Sequence, residues 1–323
     1  MVQEPVLDLV VVGAGMRGLY QGLWFRRQNP DAAFAVVDRL PQPGGTLRTQ
    51  RSNGFSCELG AFAFARTELE PLLSLLPNPP RIVEQLEGSH SGWLWTGERM
   101  EPVGVDPAPV AFASGNEELA QACRRELAAN LRLGRAATEV RPTDSGFCVT
   151  LGGEVEGRLM ARQVRLCVPP GEAAKLLAEL DPGLADAAQR TRRAEAAFVF
   201  FGGYEADLPE LTGYGILPAE GVATPVAEVI YCSQVFPRRA LPGQALVRVE
   251  VGGSWLEGDD AAVAAAAEAE LRAWTGCRGR FHFTKVHRFS TEVADGASAE
   301  CRARVDGLAA RAPGLLTTWG GNC

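Results

Sequence analysis

An α/β fold is predicted by three features of the N-terminal part of the chain. An apolar run, Leu9 to Val12, stops at Gly13-Ala14-Gly15-Met16-Arg17-Gly18 and passes into a helical pattern. A second apolar run, Phe34 to Val37, ends in Asp38. A further glycine pair, Gly44-Gly45, follows closely. Strand, glycine turn, helix, strand and acid, in that order, make a Rossmann-type dinucleotide-binding unit. Gly13 permits the sharp turn out of the strand, Gly15 leaves room for a pyrophosphate, and Gly18 lets the helix approach the sheet. The helix N-terminus offers free amides and partial positive charge to phosphates. Asp38 stands where a carboxylate accepts hydrogen bonds from ribose hydroxyls.

The next segment narrows the dinucleotide. Asp38-Arg39 leads to Gly44-Gly45-Thr46-Leu47-Arg48, and then to Gly54-Phe55-Ser56-Cys57-Glu58-Leu59-Gly60-Ala61. A glycine pair, a following arginine and a later Glu-x-Gly resemble the FAD signature of the flavin amine oxidase and protoporphyrinogen oxidase superfamily. The resemblance implies FAD, with its pyrophosphate over residues 13–18 and near Gly44, Gly45 and Arg48. It places the ribose on Asp38 beside Arg39, and the flavin along Gly60-Ala61-Phe62.

Further along, Glu68 to Leu76 reads as a short helix. Residues 81–109 read as strand-like pieces broken by Gly and Pro. Ala113-Ser114-Gly115-Asn116-Glu117-Glu118 opens a helix through Asn130, with Leu119, Ala122, Cys123 and Leu127 in register. Leu131 to Thr138, Gly146 to Leu151 and Leu159 to Val168 read as strands. This stretch resembles the superfamily's return to its FAD domain, with Phe112-x-x-Gly115 before the helix and Asn116 where a second glycine is usual. The resemblance lays the strand leading to Ala137 against the adenine.

Glu195 to Gly202, Ala223 to Val235, Gln244 to Gly252 and Gly279 to Arg288 read as strands, and Gly258 to Trp274 as a helix capped by Asp259. Gly213-Tyr214-Gly215-Ile216-Leu217-Pro218 and Tyr231 to Arg238 resemble the protoporphyrinogen oxidase branch. The lysine that the amine oxidase branch carries near the flavin has no counterpart in Arg193 to Gly202. The implied architecture is a Rossmann-type FAD/NAD(P)-binding domain from residues 1–80, 110–175 and 295–323. A smaller α+β substrate-side domain, with a mixed or antiparallel sheet, takes residues 81–109 and 176–294.

Two departures from the pattern stand out. The superfamily's helical insertion over the substrate pocket is reduced to about residues 99–109, which predicts an open second site and no stable membrane association. If Gly321-Asn322 is the superfamily's Gly-Asn pair, the sequence stops before the turn that binds the flavin ring. A second chain could then complete the site.

Composition excludes more than it assigns. A net charge of −7 gives no basic footprint for nucleic acid. The eight cysteines show no C-x-x-C and no metal spacing. The first strand begins too early for a leader, and no apolar run approaches membrane-spanning length, so the expected location is cytoplasmic. The leading functional reading is flavin-mediated dehydrogenation of an apolar or tetrapyrrole-like small molecule, with oxygen or a quinone as acceptor. The alternatives are a degenerate FAD-binding subunit and a nicotinamide dehydrogenase; the latter leaves Gly44-Gly45 and the return through residues 112–168 unexplained. No catalytic base or metal is assigned. His282, Lys285 and His287 are polar candidates expected on a solvated strand face, and Tyr214 and Tyr231 could flank a pocket.

Overall fold

The computed structural model describes residues 5–105, 108–153 and 157–318. The proposed Gly321-Asn322 pair lies outside them. Strand β1 (Leu7–Val12), helix α1 (Met16–Gln28) and strand β2 (Phe34–Asp38) form the opening unit. β1 and β2 run parallel, Val12 opposite Val37. Val10 and Val12 enter one core, while Leu9 and Val11 enter another with Leu19 and Leu23 of α1. Burial of both faces explains why these strands read as continuous apolar runs.

A hairpin follows, β3 (Thr49–Ser52) and β4 (Phe55–Glu58). Asn53 and Gly54 close it with φ of 50° and 84°, the left-handed conformations that two-residue hairpin turns require. Next come α2 (Arg66–Leu73), β5 (Ile82–Glu84), β6 (Ser91–Trp95), β7 (Met100–Gly104), β8 (Val110–Phe112) and α3 (Glu117–Leu127). β9 (Leu131–Leu133) runs parallel to β2. Gly134, at φ 70°, then interrupts the extended chain, so the strand expected over Leu131 to Thr138 is two strands. β10 (Arg135–Thr143), β11 (Gly146–Gly153) and β12 (Gly157–Leu166) form a meander that returns to β1, with Leu166 opposite Val12.

After α4 (Pro170–Leu176) and α5 (Pro182–Arg190), the chain enters a second sheet. Its remaining elements are β13 (Arg193–Tyr204), β14 (Gly215–Pro218), β15 (Val226–Ile230), the single turn α6 (Cys232–Val235), β16 (Gln244–Gly252), α7 (Asp260–Thr275) and β17 (Phe281–Glu292). The chain closes through α8 (Gly296–Ala309) and β18 (Leu315–Thr317). The first sheet has the order β10-β11-β12-β1-β2-β9, with β18 parallel on β12. The second has the order β17-β13-β16-β15-β14-β6-β7 and is mixed, because β14 and β6 are parallel.

Two further sequence readings need correction. The strand expected over Ala223 to Val235 ends at Ile230 and turns helical, since Tyr231 leaves the extended region at ψ 74°. Residues 176–190, placed on the substrate side above, pack on the first sheet instead. Leu177, Leu184, Ala187 and Ala188 share a core with Val164, Leu166 and with Cys301 and Val305 of α8.

The second sheet is covered on both faces, and successive side chains alternate between the two. Val199, Phe201, Val247 and Val249 face α7, meeting Val263, Ala267, Leu271 and Trp274. Asp259 caps α7, its carboxylate accepting from Ala262 N. Phe198, Phe200, Leu246 and Phe283 face the other way, against Phe55, Cys57 and Phe62. This second face, turned toward the hairpin β3–β4, forms one wall of the candidate site. Among the described residues, no helix is long and apolar enough to cross a membrane.

Candidate functional site

The glycine turn between β1 and α1 is set by contact distances. Gly13 has φ 101°, and a Cβ there would fall 2.7 Å from the Cys167 carbonyl oxygen. A Cβ on Gly18, in the first turns of α1, would fall 1.7 Å from the Gly13 carbonyl oxygen. A Cβ on Gly15 meets nothing within 4 Å. Gly13 and Gly18 therefore serve folding, while the open space lies at Gly15. There the α1 N-terminus carries no acidic residue in its first turn and no side-chain cap. Ala14 is buried, Met16 packs on the core beneath, and Arg17 points into solvent.

Asp38 closes the turn from the side. Its Oδ2 accepts from Ala14 N at 2.6 Å and its Oδ1 from Leu40 N at 2.8 Å. Each oxygen keeps a lone pair for a further donor. Arg39 beside it is exposed. Gly44 bridges to Gly15 and donates its N–H to Ala14 O at 2.7 Å, so the Gly44-Gly45 pair lies directly over the turn. Arg48 folds back onto this loop, donating from Nε to Gly45 O at 3.2 Å and from Nη1 to Gln42 Oε1 at 3.1 Å. Ala137 follows on β10, opposite Leu151 at a bulge and three residues beyond Gly134, whose N–H donates to Leu40 O.

The Gly44–Arg48 loop carries the next layer. Leu59 N donates to Arg48 O at 2.8 Å, and a Cβ on Gly60 would fall 2.2 Å from Thr46 O. The ribbon Gly60-Ala61-Phe62 thus lies against the loop that covers the glycine turn. Its other supports were not foreseen. Asn116 Nδ2 donates to Ala61 O and Phe62 O, both at 2.8 Å, and Arg248 Nη1 donates to Gly60 O at 2.8 Å. The signal for Arg248 was a charge, with Glu250 two residues on, inside the otherwise apolar run Ala245 to Val251. Its guanidinium lies 4.3 Å over Phe198 and 5.4 Å from the Phe62 ring centre, and pairs with Glu228 at 2.6 Å.

Glu58, just before the ribbon, is buried and multiply bound. Thr49 Oγ1 donates to its Oε2 at 2.7 Å, Asn116 N donates to the carboxylate at 3.1 and 3.2 Å, and Arg239 Nη2 lies 3.3 Å from Oε1. Arg239 itself is fully buried, with Nε and Nη1 lacking partners among the described residues. Burial pushes the Glu58 carboxyl up, and Arg239, Thr49 and Asn116 draw it back.

Lys285 and His287 share the face of β17 that carries Phe283 and Phe289, so they turn toward the site and not, as expected, to a solvated face. Both are half-buried, whereas His282 is exposed. Burial, and then the charges of Lys285 and Arg48, push the His287 imidazole below its ordinary value of 6.5. Its neutral form is therefore the native one. Stability should be full above about pH 6.5 and fall as the pH drops below it, because the unfolded chain takes the proton first. Replacing His287 with Gln should flatten that slope in urea midpoints compared at pH 8 and pH 5.5. An unchanged slope would place the histidine in solvent. Tyr231 is core, whereas Tyr214 sits edge-on to Phe62 with ring centres 6.4 Å apart.

Comparisons with known proteins agree with this architecture. The family described as NAD(P)-binding Rossmann-like domain matches residues 11–76, and the family described as Flavin containing amine oxidoreductase matches residues 83–320. Among solved structures, a protein assigned as a protoporphyrinogen oxidase from Exiguobacterium sp. 255-15 superposes with a TM-score of 0.77 at 13% identity, covering 98% of this chain and 94% of its own. Reduced UDP-galactopyranose mutase superposes at 0.75 with 12% identity, covering 97% and 88%. Putrescine oxidase bound to putrescine superposes at 0.70 with 13% identity, covering 97% and 93%. At these identities the superpositions establish the fold, and the family match spans most of the chain. The chain belongs to the flavin containing amine oxidoreductase family.

Proposed function

We propose that the protein is an FAD-dependent oxidoreductase that dehydrogenates a small, largely apolar organic molecule and passes the electrons to oxygen or a quinone. The observation that carries this reading is the open space at Gly15, framed by the α1 N-terminus, Asp38 and the Gly44-Gly45 pair. Those residues suit a pyrophosphate and a ribose. Bound FAD would supply hydride-accepting chemistry. The chain's own task is to bind, orient and shield. Asp38 would hold the ribose, the ribbon at residues 60–62 would carry the ring, and Phe198, Phe62 and Tyr214 would keep water from the substrate side. Those aromatic groups favour an apolar, ring-bearing substrate, such as a tetrapyrrole-like molecule.

The test is the visible spectrum of the purified protein after gel filtration. Retained bands near about 370 and 450 nm are expected from bound flavin. Replacing Asp38 with Ala should weaken FAD binding by about 1–3 kcal/mol, the scale for hydrogen bonds to a charged group. Unchanged affinity would show that the carboxylate serves only Ala14 and Leu40. A nicotinamide spectrum in place of the flavin bands would overturn the proposal.

A further inference from the structure

We infer that Asn116 and Arg248 are positioning residues that turn the Gly60-Ala61-Phe62 ribbon into a row of free amide donors for the ring of the bound flavin. The inference rests on the functional reading above.

All three carbonyls of the ribbon are occupied from behind. Arg248 takes Gly60 O, and Asn116 takes Ala61 O and Phe62 O. No N–H of residues 60–62 donates to another described residue. A backbone that spends its acceptors on one side is left with donors to place elsewhere. Gly60 is half-exposed and Ala61 exposed, so their donors are open to a ligand, whereas Phe62 is buried at the end of the ribbon. The ribbon runs between the loop over Gly15, at Thr46, and Arg248 of the second sheet, and a ring joined to the dinucleotide would extend along it.

Asn116 is specific to this task. It is fully buried and opens α3, yet its side chain makes no capping bond to the helix. Instead Glu58 takes its backbone N–H, Phe112 N donates to its Oδ1 at 3.1 Å, and its Nδ2 is shared by the two ribbon carbonyls. An amide alone among small side chains can accept on one end and donate twice on the other. Asp fits the same space and keeps the acceptor, but sets an oxygen against two carbonyls.

The experiment is amide hydrogen exchange of residues 60–62 with and without FAD, with absorbance reporting uptake. In the wild-type chain these amides should exchange without protection when free of flavin, and about tenfold more slowly when loaded, as for one net hydrogen bond. Asn116→Asp should hold FAD about tenfold less tightly and lose that protection. Asn116→Gly, which needs no space, should lose the protection while the thermal transition stays cooperative. Protection already present without flavin, or full protection retained in both variants, overturns the assignment. FAD uptake with unprotected ribbon amides in the wild type also overturns it and leaves the functional reading standing. Failure to take up FAD overturns that reading, and the assignment falls with it.

Discussion

Substituting Gly18 with Ala should damage both the fold and dinucleotide binding, whereas Gly15→Ala should damage binding alone. The two glycines are three residues apart on the same turn, but their surroundings differ. A methyl on Gly18 would sit 1.7 Å from the Gly13 carbonyl oxygen and 2.9 Å from its carbon, with backbone as the obstacle. Relief requires α1 to move off the sheet or the turn to open. α1 cannot move freely, because Gly22 already lies so close to β2 that its own Cβ would come 2.9 Å from Val36 Cγ2. Forced overpacking of this kind costs about 1–3 kcal/mol, and more when backbone must shift. At Gly15 a methyl meets nothing, and the backbone sits at φ −66°, open to any residue. Its stability should stay within about 0.5 kcal/mol of wild type. Its affinity for FAD and for ADP should still fall, since the methyl would fill the space proposed for the pyrophosphate. Urea titrations and flavin retention after gel filtration separate the two effects. Full flavin retention in Gly15→Ala would move the pyrophosphate elsewhere.

The same turn shows which parts of the structure were legible in the sequence. β1, α1 and β2 announced themselves because three glycines and two doubly buried strands leave few alternatives. α7 was legible from Asp259 and from a stripe at Val263, Ala267, Leu271 and Trp274. α8 was not, for its buried positions are only Ser298, Cys301 and Val305, within Arg- and Ala-rich sequence. The hairpin β3–β4 carried its Asn53-Gly54 signal, but strands as polar as Thr49–Ser52 conceal it. In the site, Gly13 to Gly18 and Asp38 come together through local geometry and could be read locally. The supports of the ribbon come from afar. Arg248 reaches the Glu58 carbonyl across 190 residues of sequence, and no local pattern encodes such a pairing. Asn116 read as a departure from a family glycine, and its structural role became visible only with Ala61 and Phe62 beside it.

The buried pair Glu58–Arg239 should give the other large effect, and its pH dependence should differ according to which partner is removed. Glu58→Gln leaves the Arg239 guanidinium fully buried, with Nε and Nη1 already lacking partners and its counter-charge gone. Breaking a buried pair this way costs about 3–5 kcal/mol at neutral pH. Arginine cannot escape by losing its proton. Glutamate can. In Arg239→Met, Glu58 keeps its bonds from Thr49 and Asn116 but loses the nearest cation that held its carboxyl down. Burial then raises it further above the ordinary carboxylate value. A raised folded-state value means stability that is full below the unfolded value of about 4.5 and is lost as the pH climbs through the folded one. Arg239→Met should therefore lose stability between pH 5 and pH 8 relative to wild type, and Glu58→Gln should not show that slope. The double variant, with an amide against Thr49 and a thioether against Phe112 and Phe236, should recover much of what either single change loses, because both desolvated charges are gone. Urea midpoints for the four proteins at two pH values complete the cycle. Additive losses in the double variant, with no pH dependence in Arg239→Met, would mean that Glu58 and Arg239 act separately, and that Thr49 and Asn116 alone fix the carboxylate ahead of the ribbon.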